Sequence, residues 1–507
     1  MRNWVRLGLL SALAGLILIG AAATNASPGT IQRVSVNSSD NQGDGASHEV
    51  AVNGDGGFVA FQSVATNLVA GDSNGVKDVF VRDRQTWVTE RVSVSSGGVQ
   101  GTSDSASPAI SSDGRYVAFQ SFADNLVSGD TALCGTHPLE YNCPDIFVRD
   151  RQTSTTERVN VSSAEVEANG ESWSPAISGD GRYVAFYSDA TTLVSGDTNN
   201  VEDVFVRDRQ AGTTTRVSVA TDGTQANGAS DGWLAVSSTG RYVAFTSDAS
   251  NLVAGDTNDS GDVFVRDRDT DADGTFDETG EVSTTRVSVG SGGAQSNGES
   301  YYAAISADGR YVALGSAASN LVAGDNNGYS DVFVRDRQTS ATVRISLSSA
   351  GGQGNAGSFD PAISADGQYV AFESYATNLV DFDTNGAADV FVRDRQAGTT
   401  IRITMNHVGF QGSAASVAAA INSDGRFTAF ESMASNLVLW DTNGASDIFL
   451  HDQAAFPVGG IAELPDVASG SGRAEINFAL LAALAAAAAL LALIAGAWYA
   501  GRRFRQG

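Results

Sequence analysis

Lysine is almost absent from this 507-residue sequence, and histidine, methionine and cysteine are nearly as rare. Lys77 is the only lysine, and 58 acidic residues against 31 basic ones give a formal net charge of -27. A chain of this charge repels nucleic-acid phosphates and anionic lipids, whereas it favours solubility and association with cations. We therefore predict no nucleic acid among its partners.

The four histidines are scattered through the chain, and no HExxH motif or paired-histidine metal motif occurs. The sequence GASDG, from Gly228, matches the pattern of a hydrolase nucleophile elbow, but it lies in a linker without the strand-to-helix context that the motif requires. Because no set of side chains indicates a catalytic centre, we predict that the chain is not an enzyme.

Only two cysteines occur, Cys134 and Cys143. Residues 1–26 are typical of a secretory signal peptide, since Arg2 and Arg6 precede an apolar run that ends in small residues. Exported proteins meet an oxidising environment, so the sequence predicts one disulfide between the two cysteines, with a pair of free thiols as the alternative.

Three phrases each occur seven times along the chain. The first, DGRYVAF or a variant, begins at Asp55, Asp113, Asp180, Thr239, Asp308, Asp366 and Asp424, with spacings of 58 to 69 residues. The second, DVFVRDR or a variant, begins at Asp78, Asp145, Asp203, Asp262, Asp331, Asp389 and Asp447. The third, RVSV or a relative, begins at Arg33, Arg91, Arg158, Arg216, Arg286, Arg344 and Arg402. The first RVSV precedes both other phrases and none follows the last DIFLHDQ, so the N-terminal copy is predicted to complete the last repeat.

Each repeat is predicted to form four short strands. Apolar runs such as residues 116–119 and 146–148 are rich in aromatic and β-branched residues, and Asp, Gly, Asn and Ser bound them. The PAIS phrase before the DG turn and the RVSV phrase after RDRQT supply the other two strands. Small sheets that repeat around an axis form a propeller. We therefore predict an all-β fold, a seven-bladed β-propeller of four-stranded blades closed by an N-terminal strand. A linear solenoid, the alternative, would leave the first RVSV unpaired.

Composition divides the chain into five segments. We predict a signal peptide at 1–26, the propeller at 30–456, a stalk at 457–475, a transmembrane helix at 476–500 and a basic tail at 501–507. The apolar segment is long enough to cross a bilayer at about 1.5 Å per residue. Arg502, Arg503 and Arg505 follow it directly and predict a cytoplasmic C-terminus. We therefore expect a single-pass membrane protein of the bacterial cell surface with the propeller outside.

The connections of a propeller alternate between its two rims, because neighbouring strands run in opposite directions. The hairpin rim is predicted to carry the DG turns and the RDRQT connections, whose Arg82, Asp83 and Arg84 indicate surface ion pairs between blades. The loop rim is predicted to carry the NLVxGDTNG connections and the GGxQxNG linkers. Its repeated aspartates form the predicted binding rim, namely Asp72, Asp130, Asp197, Asp256, Asp325, Asp383 and Asp441. The DTNG loops also suit calcium, but Asn-Gly is itself a turn signal, and we favour the turn.

One insertion in the fourth repeat has the pattern of a calcium loop. After Arg268, the sequence DTDADGTFDE places aspartates at alternate positions before Gly274, similar to the DxDxDG loops of EF-hand proteins. The predicted ligands are Asp269, Asp271, Asp273, Thr275, Asp277 and Glu281, which would hold a structural calcium ion. Gly280 replaces the bidentate glutamate of an EF-hand, and a solvated acidic loop is the alternative.

The phrases PAISSDGRYVAF and DVFVRD resemble the WD-like propeller repeat of TolB-type proteins, in which an SxDG turn precedes an apolar strand and a D-I-Y-V-x-D phrase. The resemblance covers Thr30 to about Phe456. It implies a propeller that acts as an interaction platform without catalysis. The N-terminal domain of TolB is missing from this sequence, so the resemblance does not extend to TolB's own partner.

We therefore expect a non-catalytic binding or scaffolding module for an extracellular protein or glycan, anchored in the membrane by its C-terminal helix. One alternative is an extracellular hydrolase or lyase that acts on polysaccharide or peptide through the propeller channel, and another is a structural surface-layer component. An enzyme should show non-repeated polar residues that converge at one end of the channel. A binding protein should keep the ring nearly symmetric.

Overall fold

A computed structural model of the chain describes residues 29–135 and 141–453. Thirty strands form seven four-stranded antiparallel sheets and one two-stranded sheet. The predicted signal peptide, the stalk, the apolar segment 476–500 and the basic tail lie outside the described residues. Within the described ranges, no helix has the length and hydrophobicity needed to cross a bilayer.

The strands follow one another in a regular order. They are β1 (Thr30–Arg33), β2 (Ser47–Val52), β3 (Phe58–Ser63), β4 (Asp78–Asp83), β5 (Val88–Arg91), β6 (Ser105–Ile110), β7 (Tyr116–Ser121), β8 (Leu133–Cys134), β9 (Tyr141–Asn142), β10 (Asp145–Asp150), β11 (Thr155–Arg158), β12 (Ser172–Ile177), β13 (Tyr183–Ser188), β14 (Asp203–Asp208), β15 (Thr213–Arg216), β16 (Leu234–Val236), β17 (Tyr242–Ser247), β18 (Asp262–Asp267), β19 (Ser283–Arg286), β20 (Ser300–Ile305), β21 (Tyr311–Ser316), β22 (Asp331–Asp336), β23 (Ala341–Arg344), β24 (Ser358–Ile363), β25 (Tyr369–Ser374), β26 (Asp389–Asp394), β27 (Thr399–Arg402), β28 (Ser416–Ile421), β29 (Phe427–Ser432) and β30 (Asp447–Asp452).

Each four-stranded sheet is one blade of the predicted seven-bladed propeller. Blade 1 is β2–β5, blade 2 is β6, β7, β10 and β11, blade 3 is β12–β15, blade 4 is β16–β19, blade 5 is β20–β23, blade 6 is β24–β27, and blade 7 is β28–β30 with β1. The strands of a blade are called first to fourth in this order, with β1 as the fourth strand of blade 7. The first strands of neighbouring blades contact one another all the way round, so they surround the central channel.

The N-terminal strand closes the ring as predicted. β1 pairs antiparallel with β30, with Ile31 opposite His451 and Arg33 opposite Phe449. The Val34 amide extends the pairing by donating to the Ile448 carbonyl at 2.8 Å. Blade 7 therefore has four strands, and closure of this kind removes the exposed sheet edges that a solenoid would keep.

The fourth strand lies earlier in the sequence than predicted. In blade 1 it spans Val88–Arg91, so the RVSV phrase contributes only its arginine to the strand. The remainder of the phrase runs on to Val94, which forms an isolated bridge with Gln100 of the linker. The difference arises because the phrase marks the point where the chain turns away from the blade into the next linker.

The apolar core lies between neighbouring blades. Phe61 and Phe80 of blade 1 are fully buried with ring centroids 5.9 Å apart, and they pack with Ala429 and Ile448 of blade 7. Burial of each such side chain stabilises the fold by about 1.5–3 kcal/mol. A single blade exposes this surface, so the blades are stable only as a ring.

Backbone hydrogen bonds encircle the channel at the hairpin rim. Seven amides each donate to the carbonyl of the corresponding residue in the next blade, with N···O distances of 2.9–3.1 Å, and the circle closes on itself. The residues in order are Gly54, Ser112, Gly179, Ser238, Ala307, Ala365 and Ser423. All seven are small, because backbones that approach so closely leave little room for side chains. The hairpin end of the channel is therefore enclosed by backbone.

The arginines of the RDR phrases join neighbouring blades by stacking on aromatic rings and, in two blades, by the predicted ion pairs. The guanidinium of Arg209 in blade 3 lies 4.4 Å from the ring centroid of Tyr116 in blade 2, and its Nη1 donates to the Gly181 carbonyl. The same stacking occurs for Arg84, Arg151, Arg268, Arg337 and Arg395. Arg151 and Arg209 also form predicted ion pairs between blades, with Glu90 at 2.5 Å and with Glu157 at 2.6 Å. Arg115 and Asp150 form an ion pair within blade 2.

Candidate functional site

The seven aspartates of the predicted binding rim lie in a repeated ion-pair cluster. In blade 1 the Arg91 Nη1 atom lies 3.0 Å from Asp72 Oδ1 and 3.0 Å from Asp78 Oδ2. The corresponding clusters combine Arg33 with Asp441 and Asp447, Arg158 with Asp130 and Asp145, Arg216 with Asp197 and Asp203, Arg286 with Asp256 and Asp262, Arg344 with Asp325 and Asp331, and Arg402 with Asp383 and Asp389.

These rim carboxylates are nearly buried, with side chains at most 5% exposed. Burial raises the pKa of Asp72 and of Asp197, and the neighbouring arginine opposes that rise. The arrangement fixes the loop between the second and third strands onto the blade. A ligand-binding role for these seven residues stays a prediction, and the structure assigns them an ion-paired role in each blade.

The cysteine-bearing loop of blade 2 is held by a further carboxylate, Glu167 of the linker that follows the blade. Cys134 and Cys143 form a disulfide. Glu167, at a position where the other repeats have glutamine, accepts hydrogen bonds from the Thr131 and Ala132 amides at 2.9 and 3.1 Å. Burial and the adjacent Asp145 raise the pKa of Asp130 to about 7. The extra carboxylate thus holds the start of this loop.

The acidic insertion of blade 4 brings together three of its six predicted ligands. Carboxylate oxygens of Asp269, Asp271 and Asp273 lie within 4.8 Å of one another, so these side chains could hold a metal ion. Asp277 instead forms a bidentate ion pair with Arg268, with distances of 3.1 and 2.6 Å.

Of the other two predicted ligands, Glu281 lies outside the three-carboxylate group, and Thr275 contacts Asp273 through its backbone amide. Glu281 accepts a hydrogen bond from the Thr270 hydroxyl at 3.1 Å, and the Thr275 amide donates to Asp273. Phe276 packs against Tyr183 with ring centroids 5.2 Å apart, which anchors the insertion to the hairpin rim of blade 3. The liganding roles of Thr275, Asp277 and Glu281 stay predictions.

Two exposed aromatic side chains stand on the loop rim of blades 6 and 7. Phe382 and Trp440 are 83% and 85% exposed, and both have positive φ angles, 59° and 63°. The corresponding residue in the other five blades is glycine, also at positive φ. Leu439 and Phe410 are exposed nearby in the sequence. Large exposed apolar residues mark interaction surfaces when they gather on one side of a protein.

A second departure from the repeat lies inside the channel. In six blades the first strand contains a β-bulge, and a non-glycine residue at its third position has a φ angle between 43° and 56°. These residues are Glu49, Ser107, Ser174, Tyr302, Asp360 and Ala418, while the aligned residue of blade 4 is Trp233, and Gly232 before it has the positive φ angle. A bulge re-aims a side chain, and here one chemically different residue per blade lies at the same level of the channel.

Carboxylates gather on the side of the channel formed by blades 6, 7 and 1. Burial, together with the nearby charges of Glu373 and Glu49, raises the pKa of Asp360 to about 7. Burial also raises the pKa of Glu373, against a hydrogen bond from the Ala418 amide. His48 Nδ1 lies 2.8 Å from Glu431 Oε1, and this contact raises the pKa of His48.

Aromatic side chains occupy the opposite side of the channel. The rings of Trp233 and Tyr302 lie 5.5 Å apart, and Tyr301 packs edge-on against Tyr302 at 4.9 Å. Trp233 is 48% exposed. Burial and the neighbouring Asp360 raise the pKa of the Tyr302 hydroxyl, which places that ring close to the carboxylate side.

A cavity of about 180 Å³ lies between the two sides, and Glu49, Asp360, Trp233, Ser107 and Ser174 are among its lining residues. Because first strands begin at the loop rim and end at the hairpin rim, the bulge residues place this cavity toward the loop rim. Drug-sized ligands occupy pockets of roughly 300–1,000 Å³, so the cavity suits a small group.

These channel residues were missed in the sequence, although a signal was present. When the seven repeats are aligned on the DG turn, the sixth residue before the turn is Glu49, Ser107, Ser174, Trp233, Tyr302, Asp360 and Ala418. The residue before it also differs in every repeat, whereas the fourth residue before the turn is alanine in all seven. A variable position within a repeated strand is the signal that could have identified the channel site.

Comparison with solved structures finds other propellers. TolB from Acinetobacter baumannii is 16% identical, covers 71% of this chain and has a TM-score of 0.35, and this chain spans 63% of that TolB chain. An oligogalacturonate lyase from Vibrio parahaemolyticus is 12% identical over 85% of this chain and 98% of its own, with a TM-score of 0.45. The β-propeller domain of the Trilobed protease from Pyrococcus furiosus is 10% identical over 82% and 99%, with a TM-score of 0.46.

The TolB-like character predicted from the repeat phrases thus appears among the solved structures as a similarity of fold. No model of a known protein family matches the chain, and no curated protein matches it.

Proposed function

We propose that this protein is a non-catalytic binding module of the bacterial cell envelope that takes a protein partner with basic residues at its loop rim, over the mouth of the channel. One observation carries the proposal. The framework of the ring is repeated seven times, whereas Phe382 and Trp440 at the loop rim and the varying residues in the adjoining half of the channel break the repeat. The net charge of -27 favours a basic partner.

The envelope location rests on the sequence segments at the two ends and on the disulfide between Cys134 and Cys143. Disulfides persist in exported proteins and are rare in the reducing cytosol. The signal peptide at 1–26 and the membrane anchor at 476–500 are part of this proposal. A glycan is the alternative to a protein partner.

The partner can be sought by cross-linking the full chain in its native envelope. We expect a specific cross-linked partner with the wild-type protein, and its loss in the double variant Phe382→Gly, Trp440→Gly. Trp87→Gly is the matched control, because Trp87 is also an exposed aromatic residue at positive φ but lies on the hairpin rim. Equal capture by all three proteins would contradict binding at the loop rim.

A hydrolase or lyase acting through the channel is the second candidate. It is favoured by one observation, the nearness of Asp360, whose pKa is about 7, to a second carboxylate at Glu49. Two carboxyl groups in different environments can act as acid and base on a glycosidic bond. The cavity is small for a polymer, however, and backbone encloses its hairpin end. Turnover of a polysaccharide or peptide that Asp360→Asn abolishes would establish this function and overturn the first.

Calcium binding by the blade 4 insertion is a separate structural proposal. Asp269, Asp271 and Asp273 supply three oxygen ligands, and calcium takes six to eight, so backbone carbonyls and waters would complete the shell. Chelation should lower the melting temperature and expose residues 269–281 to protease, and Asp271→Asn should remove both effects. An unchanged melting temperature and cleavage pattern after chelation would rule out the ion.

A further inference from the structure

The carboxylates of the channel have no counterion. Among the described residues, neither Glu49 nor Asp360 has a hydrogen bond or ion pair from its side chain, and both line the same cavity. No arginine or lysine lines that cavity either. His48 and Lys77 are cationic groups nearby, but His48 is engaged by Glu431, and neither forms an ion pair with Glu49 or Asp360 in the described residues. Unpaired carboxylates in a confined space are costly, since each is poorly solvated and repels the other.

Asp360 is partly buried and lines the cavity. Burial and the charges of Glu373 and Glu49 raise the pKa of its carboxyl. Every arginine cluster of the loop rim provides one guanidinium for two aspartates, as Arg91 does for Asp72 and Asp78. Asp360 has no such partner although it lines the cavity, and this indicates that a partner comes from outside.

The aromatic side of the cavity narrows the chemistry of that partner. Trp233 lines the cavity together with the carboxylates, and its ring lies 5.5 Å from the Tyr302 ring at an interplanar angle of 36°. An organic cation in the cavity would contact a carboxylate on one side and the face of the Trp233 indole on the other. A metal ion would need several oxygens converging on one point, and the three-carboxylate groups found in the described residues are at Asp130 and at Asp269, not in the channel.

We propose that the channel cavity binds a primary ammonium group, either the end of a lysine side chain inserted by the partner or a free aliphatic amine. Asp360 and Glu49 accept hydrogen bonds from the ammonium, and Trp233 covers its methylene groups. The inference deepens the proposed function and rests on it. The cavity volume of about 180 Å³ admits one alkyl chain and excludes a folded segment of the partner.

The test uses the full-length protein in detergent and isothermal titration with three small probes, namely cadaverine, N-acetyl-lysine methylamide and the neutral 1-pentanol. We expect both amines to bind with one site and the alcohol not to bind. Tighter binding of the capped lysine identifies an inserted side chain as the source, and tighter binding of cadaverine identifies a free amine.

Variants locate the site. Asp360→Asn should weaken amine binding about 10- to 100-fold, as expected for a lost charged hydrogen bond, and Trp233→Leu about 2- to 30-fold. Asp222→Asn is the charge-matched control, because Asp222 is an exposed carboxylate in the linker before blade 4, and it should leave the affinity unchanged. Should Asp360→Asn fail to fold, Trp233→Leu and Glu49→Gln carry the test.

Three results would overturn the proposal. They are equal weakening by Asp360→Asn and Asp222→Asn, equal binding of the alcohol, and displacement of the amine by calcium at a site that Asp360→Asn removes. Failure here is distinct from failure of the proposed function. If no amine binds but cross-linking to the partner still depends on Phe382 and Trp440, only the amine proposal fails. If amines bind but no partner depends on these two residues, only the proposed function fails.

Discussion

Phe382 and Trp440 each combine an unfavourable backbone conformation with an exposed apolar side chain. Their counterparts in the other blades are Gly71, Gly129, Gly196, Gly255 and Gly324. Space is not the reason for glycine there, because a Cβ at any of these five positions would meet nothing within 4 Å. The reason is the positive φ angle, which costs a residue with a side chain roughly 1–2 kcal/mol. Two blades thus carry a strained aromatic residue with no compensating contact in the described structure.

We expect Phe382→Gly and Trp440→Gly each to stabilise the protein by about 0.5 kcal/mol. Relief of the backbone strain exceeds the roughly 0.4–1 kcal/mol that glycine costs by loosening the unfolded chain. Denaturant midpoints of the two variants measure the effect. Gly255→Trp is the reverse control and should destabilise by a similar amount. A loss of stability in both glycine variants would show that these aromatic side chains pack in the native protein.

The raised pKa of Asp360 predicts that the stability of the protein depends on pH. Its folded pKa of about 7 lies above its ordinary value of 3.8, because of burial and then the charges of Glu373 and Glu49. Between these two pH values the folded state binds more protons than the unfolded state. The contribution of Asp360 to the free energy of unfolding is therefore complete below pH 4. It is lost as the pH rises through 7, which lowers the free energy of unfolding by up to about 4 kcal/mol.

We expect the variant Asp360→Asn to gain stability relative to wild type at pH 8 and to show a smaller loss between pH 4 and 8. Glu373 titrates in the same direction and keeps part of the slope in both proteins. Thermal unfolding across this range, with Asp222→Asn as the control for an exposed carboxylate, measures the difference. Parallel pH profiles for wild type and Asp360→Asn would mean that the channel carboxyl ionises normally.

At the scale of the blade, one junction lacks the arginine that joins all the others. The third strand of blade 7 is followed by Gln453, whose amide donates to the Thr428 hydroxyl at 3.3 Å. Tyr369 of blade 6, the ring that an arginine would cover, has no cation over it within residues 29–135 and 141–453. The blade 6 to blade 7 junction is therefore held by one contact fewer than its neighbours.

We expect Gln453→Arg to stabilise the ring by about 0.5–2 kcal/mol through a stacked guanidinium over Tyr369. Arg395→Gln, which creates the same gap at the neighbouring junction, should cost a similar amount. Chemical denaturation of the two variants provides the comparison. Destabilisation by Gln453→Arg together with no effect of Arg395→Gln would show that stacking does not hold the blades together.

The repeated strands could be predicted from the sequence because each phrase carries its own turn residues and apolar run. The channel could not be predicted in the same way. The bulge at Glu49, Ser107 and Asp360 shifts the alternation of faces by one residue, so a simple two-residue period assigns these side chains wrongly. The ion-paired state of the rim aspartates was also hidden, because Asp72 and Arg91 are far apart in the repeat and meet only in the folded blade.

At the scale of the whole molecule, closure depends on a strand that the chain supplies from its other end. β1 brings Arg33 to Asp441 and Asp447, and the Ser35 hydroxyl donates to Asp447 at 2.6 Å. Loss of β1 would leave the buried Asp447 without its guanidinium, and breaking a buried ion pair from one side costs roughly 3–5 kcal/mol. It would also uncover the edge of β30 along the length of the blade.

We therefore expect deletion of residues 30–46 from the full chain to lower the free energy of unfolding by at least about 3 kcal/mol and to split unfolding into more than one transition. A permuted chain is the matched control. It carries residues 30–46 after residue 453 through three residues copied from residues 85–87, so that four residues join Asp452 to Thr30 as four join Asp83 to Val88 in blade 1. The permuted chain should unfold in one transition with nearly wild-type stability, because it keeps the contacts of β1 although β1 now follows β30 in the sequence. Equal stability of the deletion and the wild type would show that six blades and three strands suffice to hold the ring.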